Sequence, residues 1–434
     1  MTLDVARTYA REHQPSVRAA LARVAAAQEA AKVPRAQWLP QIGATAQIYV
    51  ATANNTTAQY ITTPDLDIPR IGGSTVVDAS HAALQPYGST LAAIGIGQEV
   101  FDFGRIAAQS AAADAQVEVA RHGSDLAKLD VDFGVEEAFY AVLAAKGVLK
   151  ASDEAYDRTR EHRDLAKAGV ASGLYSPIEL TRAEADLARF DIGRIRARGG
   201  VTEAQATFAA TVGVSDLMLD ANGDFPSGTD APTLRAALDQ AAARDPRVAA
   251  AIARVRAQEA TTRAIFAAMR PDLSATGTFS GRAGGGAPSG AGYAADYDGW
   301  LPSVPNWDVG LVLTWPIYDG TIVARGRASR AQEAAMRDDV DALKQLLTAD
   351  VQRAYIAMTV ARDALPGLER AATAAVANYA QADARFKAGL GTAVELADAE
   401  ALRTDAEIEL AIGKFDLAKA RAQLSRVIAE GLAK

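Results

Sequence analysis

The sequence predicts a mostly α-helical, internally duplicated and elongated protein with a small β part, and three observations carry that reading. The two halves repeat each other: Thr2-Leu3 and Pro15 have counterparts in Thr233-Leu234 and Pro246 at one constant offset, while Val135, Ala138 and Phe139 have theirs in Val351, Ala354 and Tyr355 at a second, shorter one. Each half contains one very long helical stretch, 105–170 and 321–387; at 1.5 Å per residue such a helix reaches roughly 100 Å, more than a compact globule uses. Residues 307–317 alternate apolar and polar side chains, the period of a strand and not of a helix.

Composition agrees. Hydrophobic residues make up 49% of the 434-residue chain but aromatics only 6%, and alanine, a small and strong helix former, suits long helices packed closely. The formal charge is −8 with no basic run, so the electrostatic footprint of a nucleic-acid binder is missing. There is no cysteine, which removes disulfides, thiolate metal sites, cysteine nucleophiles and an N-terminal lipid-bearing cysteine from the chain as given. No stretch of about 18 apolar residues occurs, so no transmembrane helix is predicted and a membrane role falls to β-strands. Met1-Thr2-Leu3-Asp4 enters an amphipathic pattern directly; a signal peptide is read as absent from this chain, and if the protein is exported the chain is expected to start at or near its mature end.

Taken in order, repeat 1 (1–230) reads helix, strand 41–50, loop 51–89, strand 90–102, long helix 105–170, helix 177–212 and linker 213–232. Pro15 ends a short opening helix. The Thr-, Asn-, Gly- and Pro-rich run after residue 50 is a loop, and Ser176-Pro177 opens a helix with serine as N-cap and proline in the first helical position. Repeat 2 (233–434) reads helix, strand 272–280, loop 281–305, strand 306–318, long helix 321–387 and helix 393–430, with Pro366-Gly367 expected to kink the long helix. The second repeat is shorter between its counterparts of Pro40 and Val100, where a loop absorbs the difference. The two repeats form one elongated unit.

The strands bear on the membrane. Trp307, Val309, Leu311, Leu313, Trp315 and Ile317 share one side of the last strand, and at the matching positions of the first repeat the same parity holds Ile94, Ile96 and Val100, with polar exceptions at Thr90 and Gln98. An apolar side of about ten residues with tryptophan near its ends suits a lipid-facing strand. Alternation alone fits equally a solvent-exposed hairpin packed on the helices. Four strands cannot close a barrel, and open edges in lipid leave unpaired backbone groups, so a membrane role requires oligomers; three chains would supply roughly twelve strands, within the known range.

Two signatures repeat. Gly173-Leu174-Tyr175-Ser176-Pro177-Ile178-Glu179-Leu180 with Ala183-Glu184 answers Gly389-Leu390-Gly391-Thr392-Ala393-Val394-Glu395-Leu396 with Ala399-Glu400; Phe101-Asp102-Phe103-Gly104-Arg105 answers Ile317-Tyr318-Asp319-Gly320. With Leu39-Pro40 and Leu424-Ser425-Arg426, these resemble the turns and strand-to-helix junctions of the TolC family of outer-membrane efflux and secretion channels, over nearly the whole chain.

The resemblance implies a homotrimeric channel-tunnel, not an enzyme. Four strands per protomer would build a shared 12-stranded β-barrel in the Gram-negative outer membrane, continued by a long α-helical barrel in the periplasm. It implies a periplasmic adaptor (membrane fusion protein) and an inner-membrane ABC or RND-type pump as partners, alongside outer-membrane lipid. The turns lie at Gly173, Pro177, Gly389 and Gly391, and Glu395, Asp398 and Glu179 fall at an acidic ring of the periplasmic gate. The family's aromatic before the turn is Phe386 here and its basic gate residue is replaced by Gly391, so the usual lock is incomplete; Arg182, at the first-repeat counterpart of Asp398, is the expected substitute, pairing with Asp398 or Glu395. Cargo is either secreted protein (type I secretion) or small-molecule drugs, and the missing N-terminal cysteine tilts the reading to secretion.

No catalytic, cofactor or metal site is predicted. His13, His81, His122 and His162 lie apart and read as surface histidines, without the spacing of metal ligands. Gly281 to Gly299 lacks G-K-[ST] and reads as a mobile extracellular loop, and the helical carboxylates read as solvated faces. The alternative is a soluble or periplasmic coiled-coil scaffold or adaptor with no channel, against which the duplication argues.

Overall fold

The computed structural model of the chain describes residues 1–52, 61–63, 66–68, 86–215, 219–226, 232–283 and 304–431. The elements are α1 (Leu3–His13), α2 (Pro15–Ala30), α3 (Lys32–Ala36), β1 (Gln41–Thr52), β2 (Ile61–Thr63), β3 (Leu66–Ile68), β4 (Pro86–Phe101), α4 (Arg105–Ala171) and α5 (Pro177–Val212), followed by α6 (Leu234–Arg244), α7 (Pro246–Ala267), β5 (Asp272–Ala283), β6 (Val304–Thr314), α8 (Gly320–Lys387) and α9 (Ala393–Val427). Within the span 51–89, expected as loop, β2 and β3 form a short antiparallel pair and β4 begins at Pro86. The helix α8 is continuous through Pro366. From residue 284 the glycine-rich segment expected as a mobile loop lies outside the described residues, as does His81.

The chain divides into two compact units, one of Met1–Ala25, Glu118–Ile252 and Arg337–Lys434, the other of Ala26–Val117 and Ala253–Met336. In the first, two apolar cores form from repeat-related positions. Ala6, Ala10, Val135, Val142, Phe208 and Val212 build one, and Ala237, Ala241, Val351, Met358, Leu424 and Ile428 build the other. Each residue of the second set is the counterpart of one in the first, and all are almost fully buried. The apolar spacing that recurs in the sequence is therefore the spacing of two separate cores, each closing a short helix onto a long one.

The second unit holds an antiparallel sheet in the order β1-β4-β5-β6. Its register aligns Ala44, Ile94, Phe279 and Trp307 in one cross-strand row and Ile42, Ile96, Gly277 and Val309 in the next. Where the sheet passes into the long helices, an aspartate caps each one. Asp102 is buried and accepts the Gly104 N–H at 3.0 Å and the Ile106 N–H. Asp319 accepts the N–H groups of Thr321 and Ile322 at 2.7 and 3.3 Å, and these bonds hold its carboxyl below the usual carboxylate range. Between Asp102 and Gly104 sits one residue that the second junction lacks, Phe103. It takes φ 51°, and its carbonyl accepts from Arg270 at 2.7 Å. This insertion is why the offset between the repeats shortens by one at the start of the long helix.

Removing the buried cap should show directly. Asp102→Ala is expected to cost about 1 kcal/mol, the usual value of an N-cap, with Asp102→Asn retaining most of it; equal denaturation midpoints for wild type and the alanine variant would remove the cap from the account.

Candidate functional site

Two regions carry functional geometry: the sheet, and the ends of the helical hairpins. In the sheet the usual polarity is inverted. Ile42, Ile94, Ile96, Phe279, Trp307, Val309, Leu311 and Leu313, all on one face, are between 43% and 75% exposed, while Thr276, Thr278 and Ser280 on the other face are buried. Trp315 and Ile317 continue the exposed apolar set just beyond the end of β6. A soluble sheet turns its apolar side inward, so a contiguous apolar face left outside marks lipid or a partner. The outer strands β1 and β6 each pair on one side only within the four-stranded sheet, which leaves two ladders of backbone groups open.

The hairpin ends repeat their turn chemistry. Gly173 and Gly389 take φ 78° and 73°, a conformation glycine adopts without strain. Leu174 N donates to Gly169 O at 2.8 Å and Leu390 N to Arg385 O at 2.9 Å, the six-to-one bond that ends a helix. Side chains differ in a compensating way. Tyr175 lies over Gly169, where an added Cβ would stand 2.1 Å from the ring, whereas at the matching positions Arg385 stands beside Gly391. At the starts of the second helices, Ser176 occupies the N-cap of α5 without a side-chain bond, Pro177 is its first residue, and Thr392 caps α9 by accepting the Glu395 N–H at 3.2 Å.

Of the expected gate residues, Glu395, Asp398 and Arg182 are exposed. Glu395 approaches Arg385 of its own hairpin at 3.9 Å, and Arg182 has no ion pair among the described residues. Glu179 is half-buried, and Phe386 packs its ring 6.2 Å from Tyr175 and 6.3 Å from His162.

Sequence reasoning missed a buried polar cluster behind these residues. Glu400, read as part of a solvated face, is only 2% exposed. Arg158 of α4 clasps it with two bonds of 2.9 Å, Nε to Oε2 and Nη2 to Oε1, and Thr404 donates to it at 3.2 Å. His162, read as a surface histidine, is instead hydrogen-bonded to the Tyr379 hydroxyl at 2.9 Å. The guanidinium carbons of Arg158 and Arg403 stand 5.5 and 5.2 Å from the Tyr379 ring centre, within range of a cation–π contact. Burial, reinforced by Glu400 and Asp383, pushes the Tyr379 hydroxyl up to about 12, and burial lowers the His162 pKa. The available signal was the Ala399-Glu400 motif, but its first-repeat counterpart Glu184 is exposed, so the repeat could not reveal the difference.

A four-stranded sheet with its apolar face outward, joined to paired long helices, defines the protomer fold of a TolC-like channel-tunnel. Solved structures share it. The outer-membrane channel CmeC of Campylobacter jejuni is 14% identical with a TM-score of 0.77, over 99% of this chain and 86% of that one. The outer membrane protein VceC of Vibrio cholerae is 15% identical at 0.75, over 99% and 97%. The open state of the MtrE channel of Neisseria gonorrhoeae is 19% identical at 0.72, over 99% and 89%. No curated protein matches the chain at a significant level. A family model described as outer membrane efflux protein matches residues 7–214 and 237–430; the chain belongs to that family of Gram-negative outer-membrane efflux channels.

The buried cluster generates two expectations. Glu400→Ala leaves the Arg158 guanidinium without its main partner and should destabilise the fold by about 3 kcal/mol in denaturant titrations. For His162, the folded pKa lies below the unfolded 6.5, so protons bind the unfolded state first and stability falls as pH drops through 6.5. Amide protection factors around residues 155–166, corrected for the pH dependence of intrinsic exchange, should fall between pH 7.5 and 5.5 in wild type and much less in His162→Gln; identical protection profiles would contradict the assignment.

Proposed function

We propose that this chain is the outer-membrane exit duct of a tripartite export system, a passive conduit with no catalytic step. Three copies pair their outer strands into a barrel of roughly twelve strands, and the pore conducts secreted protein or small-molecule drugs handed over by an inner-membrane pump through a periplasmic adaptor. The observation that carries this reading is the inverted polarity of the sheet, in a chain of the outer membrane efflux protein family. The exposed carboxylates of Glu395 and Asp398, three residues apart on one helix face, become rings under threefold symmetry and favour cations.

Gate and lock separate in one experiment. In planar bilayers the wild-type protein should give discrete cation-selective conductance, and Asp398→Asn with Glu395→Gln should reduce the selectivity. Arg182→Ala should raise open probability by up to about fivefold, since an exposed pair contributes roughly 0–1 kcal/mol; an unchanged value would discard the Arg182 lock and leave the duct reading intact. Cargo is read separately, from the secreted proteins and drug susceptibility of cells lacking the protein.

A further inference from the structure

A cavity of about 460 Å³ lies between the ends of the α4–α5 and α8–α9 hairpins, within the size range of small-molecule sites. The rings of Tyr175, Phe190 and Phe386 form part of its wall, together with Val394 and Leu396. Three carboxylates line it, and their situations differ. Glu400 is held by Arg158 and Thr404, and Asp186 is 3.5 Å from Arg189. Glu179 Oε2, by contrast, is buried with no hydrogen-bond donor among the described residues. Leaving such an atom without a donor is costly, because its hydration has been given up and not replaced.

We propose that this cavity binds a small organic cation with a flat apolar body, its ammonium or amidinium group donating to Glu179 and its body lying against the Tyr175, Phe190 and Phe386 rings. The one carboxylate left without a donor favours it. Glu400 and Asp186 already have arginine partners in Arg158 and Arg189, whereas Glu179 Oε2 has none, and the arginine of the lining, Arg182, is exposed. His162 also lines the cavity, but burial lowers its pKa, so it stays neutral near pH 7 and adds no competing charge. Aromatic walls add attraction for a cation that a neutral ligand of the same shape does not receive. The site is distinct from the exposed carboxylates of Glu395 and Asp398, neither of which lines the cavity.

The test uses the full chain in detergent or nanodiscs and 4-aminobenzamidine as the probe, followed by its fluorescence rise in apolar surroundings. Saturable binding of one probe per chain is expected, at least about tenfold weaker for the neutral isostere 4-aminobenzamide and at least about tenfold weaker in Glu179→Gln, as for the loss of a charged hydrogen-bond partner. Equal affinity for the neutral isostere, unchanged affinity in Glu179→Gln, or no saturable binding would overturn the proposal. So would loss of binding in Asp398→Asn in place of Glu179→Gln, which would put the cation at the exposed carboxylates. The comparison of charged and neutral probes needs only wild-type protein, so the proposal stays open to refutation even if Glu179→Gln fails to assemble.

Discussion

A backbone N–H or C=O group in hydrocarbon has no water to turn to, and that constraint governs what the four-stranded sheet can do. Within one chain the sheet begins at β1 and stops at β6, and the face that looks outward across all four strands is apolar. In water such a face favours association; in lipid it is satisfied, but the two open ladders are not. In the assembly proposed above, pairing β1 of one copy with β6 of the next would answer both demands together. The polar residues on the opposite face, Thr276, Thr278 and Ser280 among them, would then fall on the side of the proposed pore.

The duplication explains how one chain presents this surface. Each repeat contributes two strands to the sheet and two long helices, and each long helix begins at an aspartate that takes up the first free N–H groups, Asp102 or Asp319. Equivalent cores hold the short helices against the long ones in both halves. Symmetry stops near the hairpin ends, where Tyr175 over Gly169 is exchanged for Arg385 beside Gly391 and where Arg158, His162, Tyr379 and Glu400 form a cluster that draws on both repeats. Functional asymmetry is expected there, because a buried ion pair stabilises only the arrangement that satisfies it.

Much of the architecture was legible in the sequence because it follows from local periodicity. Alternation from Trp307 to Leu313 separated the apolar side of β6 from the polar one, though the exposure of the apolar side came only with the structure; parity carried over to Ile94 and Ile96, and glycines 173 and 389 marked turns, where the structure shows positive φ. The buried cluster was not legible, for a physical reason. Glu400 and Arg158 are 242 residues apart, and whether a carboxylate on a helix is solvated or buried depends on which helix packs over it. Phe103 was visible only as a one-residue change in repeat offset, and its backbone conformation gives that change a location.

The central claim is that open strand edges find partners in sister copies, and the mass of the purified protein in detergent addresses it most directly. Light scattering corrected for bound detergent should return three chains per particle, with aggregation when the detergent is removed. A particle of one chain that remains dissolved in plain buffer would contradict the account.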